Sequence, residues 1–117
     1  MPAAKLNLTV EQEATYRKRL TWRDKNRRAV SLIGYLARMQ VRDSYDSETV
    51  LLDLNSFDTN GGLTLGGTSG TIDIIITPEQ TATLKSGLYD ILLTSGSGDD
   101  IRLAQGKITV SPAVTRG

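Results

Sequence analysis

The feature of this sequence that most constrains its fold is a regular alternation of apolar and polar side chains. The alternation runs through residues 6–10, 16–22, 35–42 and 71–76. Because successive side chains of a β-strand point to opposite faces, a two-residue period predicts strands with one buried face. Further short strands are predicted at residues 50–54, 63–65, 88–94 and 101–110. Turn residues separate these segments, so the pattern predicts an all-β sandwich or barrel of seven to eight strands.

The last predicted strand changes the face on which its apolar residues lie. Ile101 and Leu103 are odd-numbered, whereas Ile108 and Val110 are even-numbered. Both pairs can face one core only if the strand contains a bulge, which we place at Gly106. The residues expected to contribute most to that core are Leu20, Trp22, Tyr35, Met39, Ile72, Ile74, Leu92 and Val110.

One short helical turn is predicted between two of the strands. Thr77 supplies an N-cap hydroxyl, Pro78 occupies the first helical position, and Gln80 stands at the third. This spacing is a capping box, in which the two side chains bond each other's backbone N–H groups. The turn should run through about Leu84 and end near Gly87.

Two missing residue types exclude several kinds of catalytic and metal site, although carboxylates, lysines and hydroxyls could still do chemistry. The chain of 117 residues contains no histidine and no cysteine. It therefore cannot form a Ser-His-Asp triad, an imidazole metal site, a thiolate nucleophile or a disulfide. The sequence also shows no paired acidic motif, phosphate-binding glycine loop or calcium loop. We expect a single domain, residues 1–117, that acts by binding rather than as an enzyme, without cofactor or metal.

Nothing in the sequence points to a membrane or to secretion. No apolar run approaches the roughly 18 residues that a membrane-spanning helix needs. Residues 1–5 lack the apolar stretch of a signal peptide. We therefore expect synthesis in a cytoplasm and no membrane partner.

The net charge of +1 conceals an unequal distribution along the chain. Residues 1–42 contain ten Lys or Arg against three acids, a balance of +7, and residues 43–117 contain four against ten, a balance of −6. Such a chain is suited to packing against copies of itself or against another protein. The alternative is that both signs mix on the folded surface.

A basic turn is predicted at residues 23–28. It contains Arg23, Lys25, Arg27 and Arg28. Clustered cations can bind phosphates, and aromatic side chains would assist on single strands. Aromatic residues make up only 5% of the chain, which favours a solvated hairpin tip or a protein-docking patch over a nucleic-acid site.

Tyr89 stands at the start of a predicted strand, just after the helical turn. Immunoglobulin-like sandwiches place a tyrosine at this point, and its hydroxyl bonds back to upstream backbone. Tyr89 is therefore a candidate tyrosine corner. The alternative is an ordinary half-buried tyrosine of a strand.

Seven segments of the chain follow one another in a recognisable order; they are residues 16–22, 30–35, 37–42, 70–72, 77–81, 87–90 and 106–112. Their order resembles that of small virion proteins of tailed bacteriophages. It is similar to the immunoglobulin-like N-terminal domain of phage baseplate upper proteins, which attach tail fibres. The resemblance covers roughly residues 6–115.

The resemblance implies an immunoglobulin-like antiparallel β-sandwich and a structural role in a phage virion. The chain would dock other virion proteins, most simply as a tail, baseplate or tail-fibre attachment component, and would be a homo-oligomer within the particle. Capsid decoration is an alternative role for short immunoglobulin-like phage proteins. A small nucleic-acid-binding β-domain is the alternative from another class, although nucleic acid is not the partner that we expect.

The first strand generates a prediction about self-association. Leu6, Leu8 and Val10 lie in a strand without proline or lysine, so its edge could pair with a neighbouring chain. Light scattering should then show an oligomer, and deletion of residues 1–10 should return it to a monomer that stays folded. Loss of the fold on deletion would show instead that the strand belongs to its own core.

Overall fold

The computed structural model describes residues 4–115, which form nine strands and little helix. One α-helix, α1, spans Pro78–Thr83, and a single 3-10 turn spans Gly67–Ser69. The strands are β1 (Ala4–Lys5), β2 (Leu8–Glu11), β3 (Tyr16–Thr21), β4 (Leu36–Arg42), β5 (Val50–Asn55), β6 (Leu63–Leu65), β7 (Thr71–Ile76), β8 (Gly87–Thr94) and β9 (Asp100–Ser111). The number exceeds the predicted seven to eight because the leading strand is interrupted at Leu6 and Asn7.

The strands form two sheets that enclose one core, which confirms the all-β sandwich. The larger sheet has the order β1-β9-β8-β4-β5, with β2 also paired to β9, and the smaller has the order β3-β7-β6. This order matches the immunoglobulin arrangement, in which strands B, E and D form one sheet and G, F, C and C′ the other.

The leading strand departs from the predicted antiparallel arrangement. Both β1 and β2 run parallel to β9, with Ala4 opposite Ala104 and Leu8 opposite Ile108. In the constant-type sandwich the first strand instead covers strand B of the other sheet. Here β3 occupies the position of strand B and pairs only with β7 among the described strands, so its outer edge is free.

The core follows the alternation of the sequence, with one exception. Met39, Ile72 and Ile74 are fully buried as predicted, and the half-buried Leu20, Trp22, Tyr35 and Val110 pack against them. The expectation for Leu92 is wrong, because its neighbours Ile91 and Leu93 are the buried residues of β8. In a strand the residue between two core positions faces outward.

The predicted capping box is confirmed at the start of α1. The Thr77 hydroxyl accepts a hydrogen bond from the Gln80 N–H at 3.2 Å, and the Gln80 side chain accepts one from the Thr77 N–H at 3.0 Å. The buried Thr81 hydroxyl donates to the Ala14 carbonyl at 2.9 Å, which ties the helix to the segment before β3.

The predicted bulge exists, but its position was wrong. Ile91 lies opposite Ala104 and Leu92 lies opposite Arg102, so Leu103 is the extra residue of β9. Gly106 pairs regularly with Tyr89. The reason for glycine at position 106 is close approach, because a Cβ there would overlap the Leu6 carbonyl of the adjacent N-terminal segment.

This contact gives a prediction for Gly106→Ala. The added methyl group forces the N-terminal segment away from β9, and overpacking of this kind costs about 1–3 kcal/mol. Chemical denaturation of the purified protein measures the loss. Gly96→Ala is the matched control, because a Cβ there meets nothing closer than the Gly34 carbonyl at 3.6 Å. Equal stability of the two variants would contradict the close approach.

Candidate protein-docking surface

The structure places the side chains of the first candidate segment inside the protein. Leu8 is 3% exposed and Val10 is fully buried, while Leu6 is half-buried against the same core. These side chains are therefore not available to a partner, and only the outer backbone edge of β2 is free. The expectation that residues 1–10 can be removed without unfolding does not fit this arrangement, because the deletion takes two core side chains with it.

Tyr89 fastens this segment to the sandwich. Its side chain, 4% exposed, donates a hydrogen bond to the Leu6 carbonyl at 2.5 Å. The acceptor is upstream backbone, and it lies 83 residues away in sequence, whereas the tyrosine corner of immunoglobulin domains bonds backbone only a few residues upstream. Tyr89 reaches Leu6 across β9 at Gly106, where no side chain intervenes.

The neighbouring Asn7 completes the junction between β1 and β2. Its side-chain oxygen accepts a hydrogen bond from the Lys107 N–H at 3.1 Å, and the Leu6 N–H donates to the Gln105 carbonyl at 2.9 Å. The backbone N–H groups of Leu6 and Lys107 therefore stay hydrogen-bonded where the strand is interrupted. Backbone polar groups that are shielded from water need such partners.

Seven cations lie on β3 and on the turn that follows it. We call this surface the basic edge; it consists of Arg17, Lys18, Arg19, Arg23, Lys25, Arg27 and Arg28, and all seven are exposed. Arg19 forms an ion pair with Asp73, with Nε–Oδ1 and Nη2–Oδ2 distances of 2.6 and 3.0 Å. This hydrogen bonding lowers the pKa of the Asp73 carboxyl. Within residues 4–115, the other six cations have no carboxylate within 4.0 Å.

The turn presents its cations on an ordered backbone. The Asp24 carboxylate accepts hydrogen bonds from the N–H groups of Asn26, at 2.8 Å, and Arg28, at 3.0 Å. The Arg23 guanidinium donates to the Arg27 carbonyl at 3.1 Å. Arg27 has a φ of 64°, in the left-handed region that residues other than glycine rarely adopt, and the hydrogen bonds around it hold that conformation. The predicted charged turn is thus confirmed as an ordered structure.

Lys18 occupies an unusual position on the free strand. It lies opposite the fully buried Ile74 in the β3–β7 ladder, so it stands on the inner face of β3 although it is exposed. An inward-pointing charge on an edge strand opposes pairing with an uncharged strand of another protein. The basic edge is therefore protected against indiscriminate strand addition.

An apolar groove lies beside the basic edge, between the open margins of the two sheets. It has a volume of about 310 Å³, and its apolar walls include Leu6, Leu20, Trp22, Ile101 and Leu103. Trp22 is held by Tyr35 in an edge-to-face contact with ring centroids 5.9 Å apart. Arg23 and Arg102 also line the groove. An exposed strand edge next to an apolar groove is a geometry that binds extended peptide segments.

Sequence reasoning did not find this free edge or the groove. The signal was present at Lys18, which breaks an otherwise apolar face formed by Tyr16, Leu20 and Trp22. A lysine at the centre of the inner face of a strand indicates an edge position. The groove itself depends on which strand the N-terminal segment joins, and that choice leaves no pattern in the sequence.

A second groove contains a single carboxylate. A wider groove of about 540 Å³ on the opposite side, between Tyr35, residues 58–65 and Gln80, has Asp58 as its one carboxylate. The usual mechanism of glycoside hydrolysis uses two Asp or Glu side chains. Residues 4–115 contain no cluster of three or more acidic side chains suited to a metal ion. Among the same residues, no helix has the length and apolar character needed to cross a bilayer.

Comparison with known protein families and with curated proteins gives no match for this chain.

The Tyr89 anchor generates a prediction with a pH signature. Burial, assisted by the nearby Tyr16, raises the pKa of Tyr89 from 10.0 to about 12. Above pH 10 the unfolded chain loses this proton while the folded protein keeps it, so the contribution of Tyr89 to stability is complete below pH 10 and is lost as the pH rises to about 12.

Tyr89→Phe should therefore lower the free energy of unfolding at neutral pH by about 1–3 kcal/mol, because the Leu6 carbonyl loses its donor. The difference from the native protein should narrow between pH 10 and about 12. Denaturation at several pH values measures both effects. Tyr45→Phe is the matched control, since Tyr45 is 79% exposed and should leave stability unchanged. A pH-independent difference would contradict the buried hydrogen bond.

Proposed function

We propose that this protein is a non-enzymatic docking module of a tailed-phage virion, most simply a tail, baseplate or tail-fibre attachment component. The resemblance of residues 6–115 to the immunoglobulin-like domain of baseplate upper proteins supports the setting. The observation that carries the binding role is the free edge of β3 beside the apolar groove. This surface offers backbone hydrogen-bonding groups and apolar side chains, and it needs no reactive group.

The docking surface would act by adding a strand of a neighbouring virion protein to β3. Backbone hydrogen bonds along the free edge supply affinity, and the groove accepts the alternate side chains of the added strand. Each contact is small, but a virion presents many symmetry-related copies, so the effective concentration of partners is high. Modest interfaces then suffice to hold the assembly together.

The basic edge also supports a second candidate, binding of nucleic acid. Six cations without a carboxylate partner could contact phosphates. The apolar character of the adjacent groove favours a protein segment, because single-stranded nucleic acid is bound by grooves that combine cations with exposed stacking platforms. The Trp22 ring is half-buried against the core and packed on Tyr35, which leaves it poorly placed as such a platform.

Electron cryo-microscopy of particles from a phage that encodes this chain tests the proposal. Particles lacking the chain should lose density at the tail or baseplate, and the native gene supplied in trans should restore it. Lys18→Glu should fail to restore it, whereas the matched control Lys107→Glu, an exposed change on β9, should succeed. Density on the capsid would establish decoration instead, and particles complete without the chain would overturn the virion role.

A further inference from the structure

The fold places a cluster of each charge at a different strand edge of the molecule, although Arg38 and Arg42 of β4 lie beside the acidic cluster. Residues 43–84 contain seven acidic side chains and no Lys or Arg. Five of these acids lie in the loop before β5, on β5 and just after it; they are Asp43, Asp46, Glu48, Asp53 and Asp58, and all are exposed. We call this surface the acidic edge. None of its carboxylates lies within 4.0 Å of a cation in residues 4–115.

The strand order places the acidic edge opposite the basic edge. In the larger sheet, β5 and β1 are the two outer strands, with β9, β8 and β4 between them. Four strand spacings of about 4.8 Å separate the outer strands by about 19 Å. The basic edge lies on the β1 side, because Leu20 and Trp22 share the apolar groove with Ala4 and Leu103.

Both edges also have unpaired backbone. Among the described strands, β5 pairs only with β4 along residues 50–54, and the Asn55 N–H donates to the Gly61 carbonyl in the following loop. Val50, the first residue of β5, is 37% exposed and lies between Glu48 and Asp53 in the sequence. The acidic edge therefore offers an unpaired strand with carboxylates and an apolar side chain, which is the chemistry that the basic edge and its groove accept.

We infer that the partner of the basic edge is the acidic edge of a second copy of this chain. The inference rests on the proposed docking function and names its partner. Lys18 opposes uncharged strands but favours one that brings a carboxylate to it, so the edge selects an acidic strand. The same contact uses two different surfaces of each copy, and such a head-to-tail interface builds a ring or a filament.

The charge balance favours this partner over nucleic acid. The chain has a formal net charge of +1, so its basic edge is matched by acids within the same molecule. A nucleic acid would be attracted by the basic edge and repelled by the acidic edge of the same molecule. A second copy meets the basic edge with its acidic side, and complementary potentials then orient the encounter.

Analytical ultracentrifugation of the full-length protein tests the inference. At about 50 mM salt the average mass should rise with concentration above the 12.7 kDa of one chain, and at about 500 mM salt it should fall back, because screening weakens exposed charge pairs. Arg17→Glu/Lys18→Glu and Glu48→Lys/Asp53→Lys should each remain monomeric at low salt. Lys85→Glu/Lys107→Glu is the matched control, with the same change in net charge as the first variant, and should associate like the native protein.

Mixing the two edge variants decides whether the contact is head-to-tail. The first variant then has two acidic edges and the second has two basic ones. In the mixture each edge meets one of opposite charge on the other variant, so association should return. A native protein that stays monomeric at all concentrations and salts would overturn the inference, while the virion experiment would still decide the docking function. Retention of duplex DNA by the monomer, lost in Arg17→Glu/Lys18→Glu, would overturn it in favour of nucleic acid.

Discussion

The hydrogen bond from Tyr89 to the Leu6 carbonyl holds the arrangement on which the rest of this structure depends. It crosses β9 at Gly106, where the absence of a side chain allows the N-terminal segment to lie close to the strand. The bond therefore helps to fix the leading strands β1 and β2 parallel to β9. The hydroxyl of a buried tyrosine and the carbonyl of a half-buried residue satisfy each other, which makes this position costly to abandon.

The pairing of the leading strands has a consequence in the other sheet. A first strand that joins β9 cannot also cover β3, so β3 keeps an unpaired edge. A bare edge is normally a liability, because it can template association with any extended chain. Here the edge carries Lys18 on its inner face and a series of cations along its length. The same features that discourage random association would admit a strand of opposite charge.

The separation of charge is a property of the fold as much as of the chain. Basic residues are concentrated in the first 42 positions and acidic residues after them, yet Asp73 of the acidic part lies beside Arg19 in the basic edge. The strand order moves most of the remaining acids to β5 and its flanking loops, on the far side of the larger sheet. A molecule with a small net charge thereby carries clusters of opposite sign at two strand edges, with Arg38 and Arg42 of β4 beside the acidic one.

The local structure could be predicted from the pattern of neighbouring residues. The alternation of residues 35–42 and 71–76 predicted which side chains of β4 and β7 are buried. The spacing of Thr77 and Gln80 predicted the cap of α1. Both predictions succeeded because the strand period and helix capping depend on neighbouring residues alone. The parity change in β9 also predicted a bulge. The predicted position of the bulge, Gly106, and the predicted inward orientation of Leu92 were both wrong. Both depend on the register between β8 and β9, which neighbouring residues do not set.

The direction and partner of the leading strands, and with them the candidate docking surface, depend on contacts between distant parts of the chain. Leu6, Leu8 and Val10 show the same alternation whether they pair with a neighbouring chain or with β9. The choice is made by contacts with Tyr89 and Gly106, which lie far along the chain from Leu6 and have no effect on its local pattern. The free edge of β3 follows from that choice. The leading strand can pair with β9 or with β3 but not with both, and only folding brings these three strands together.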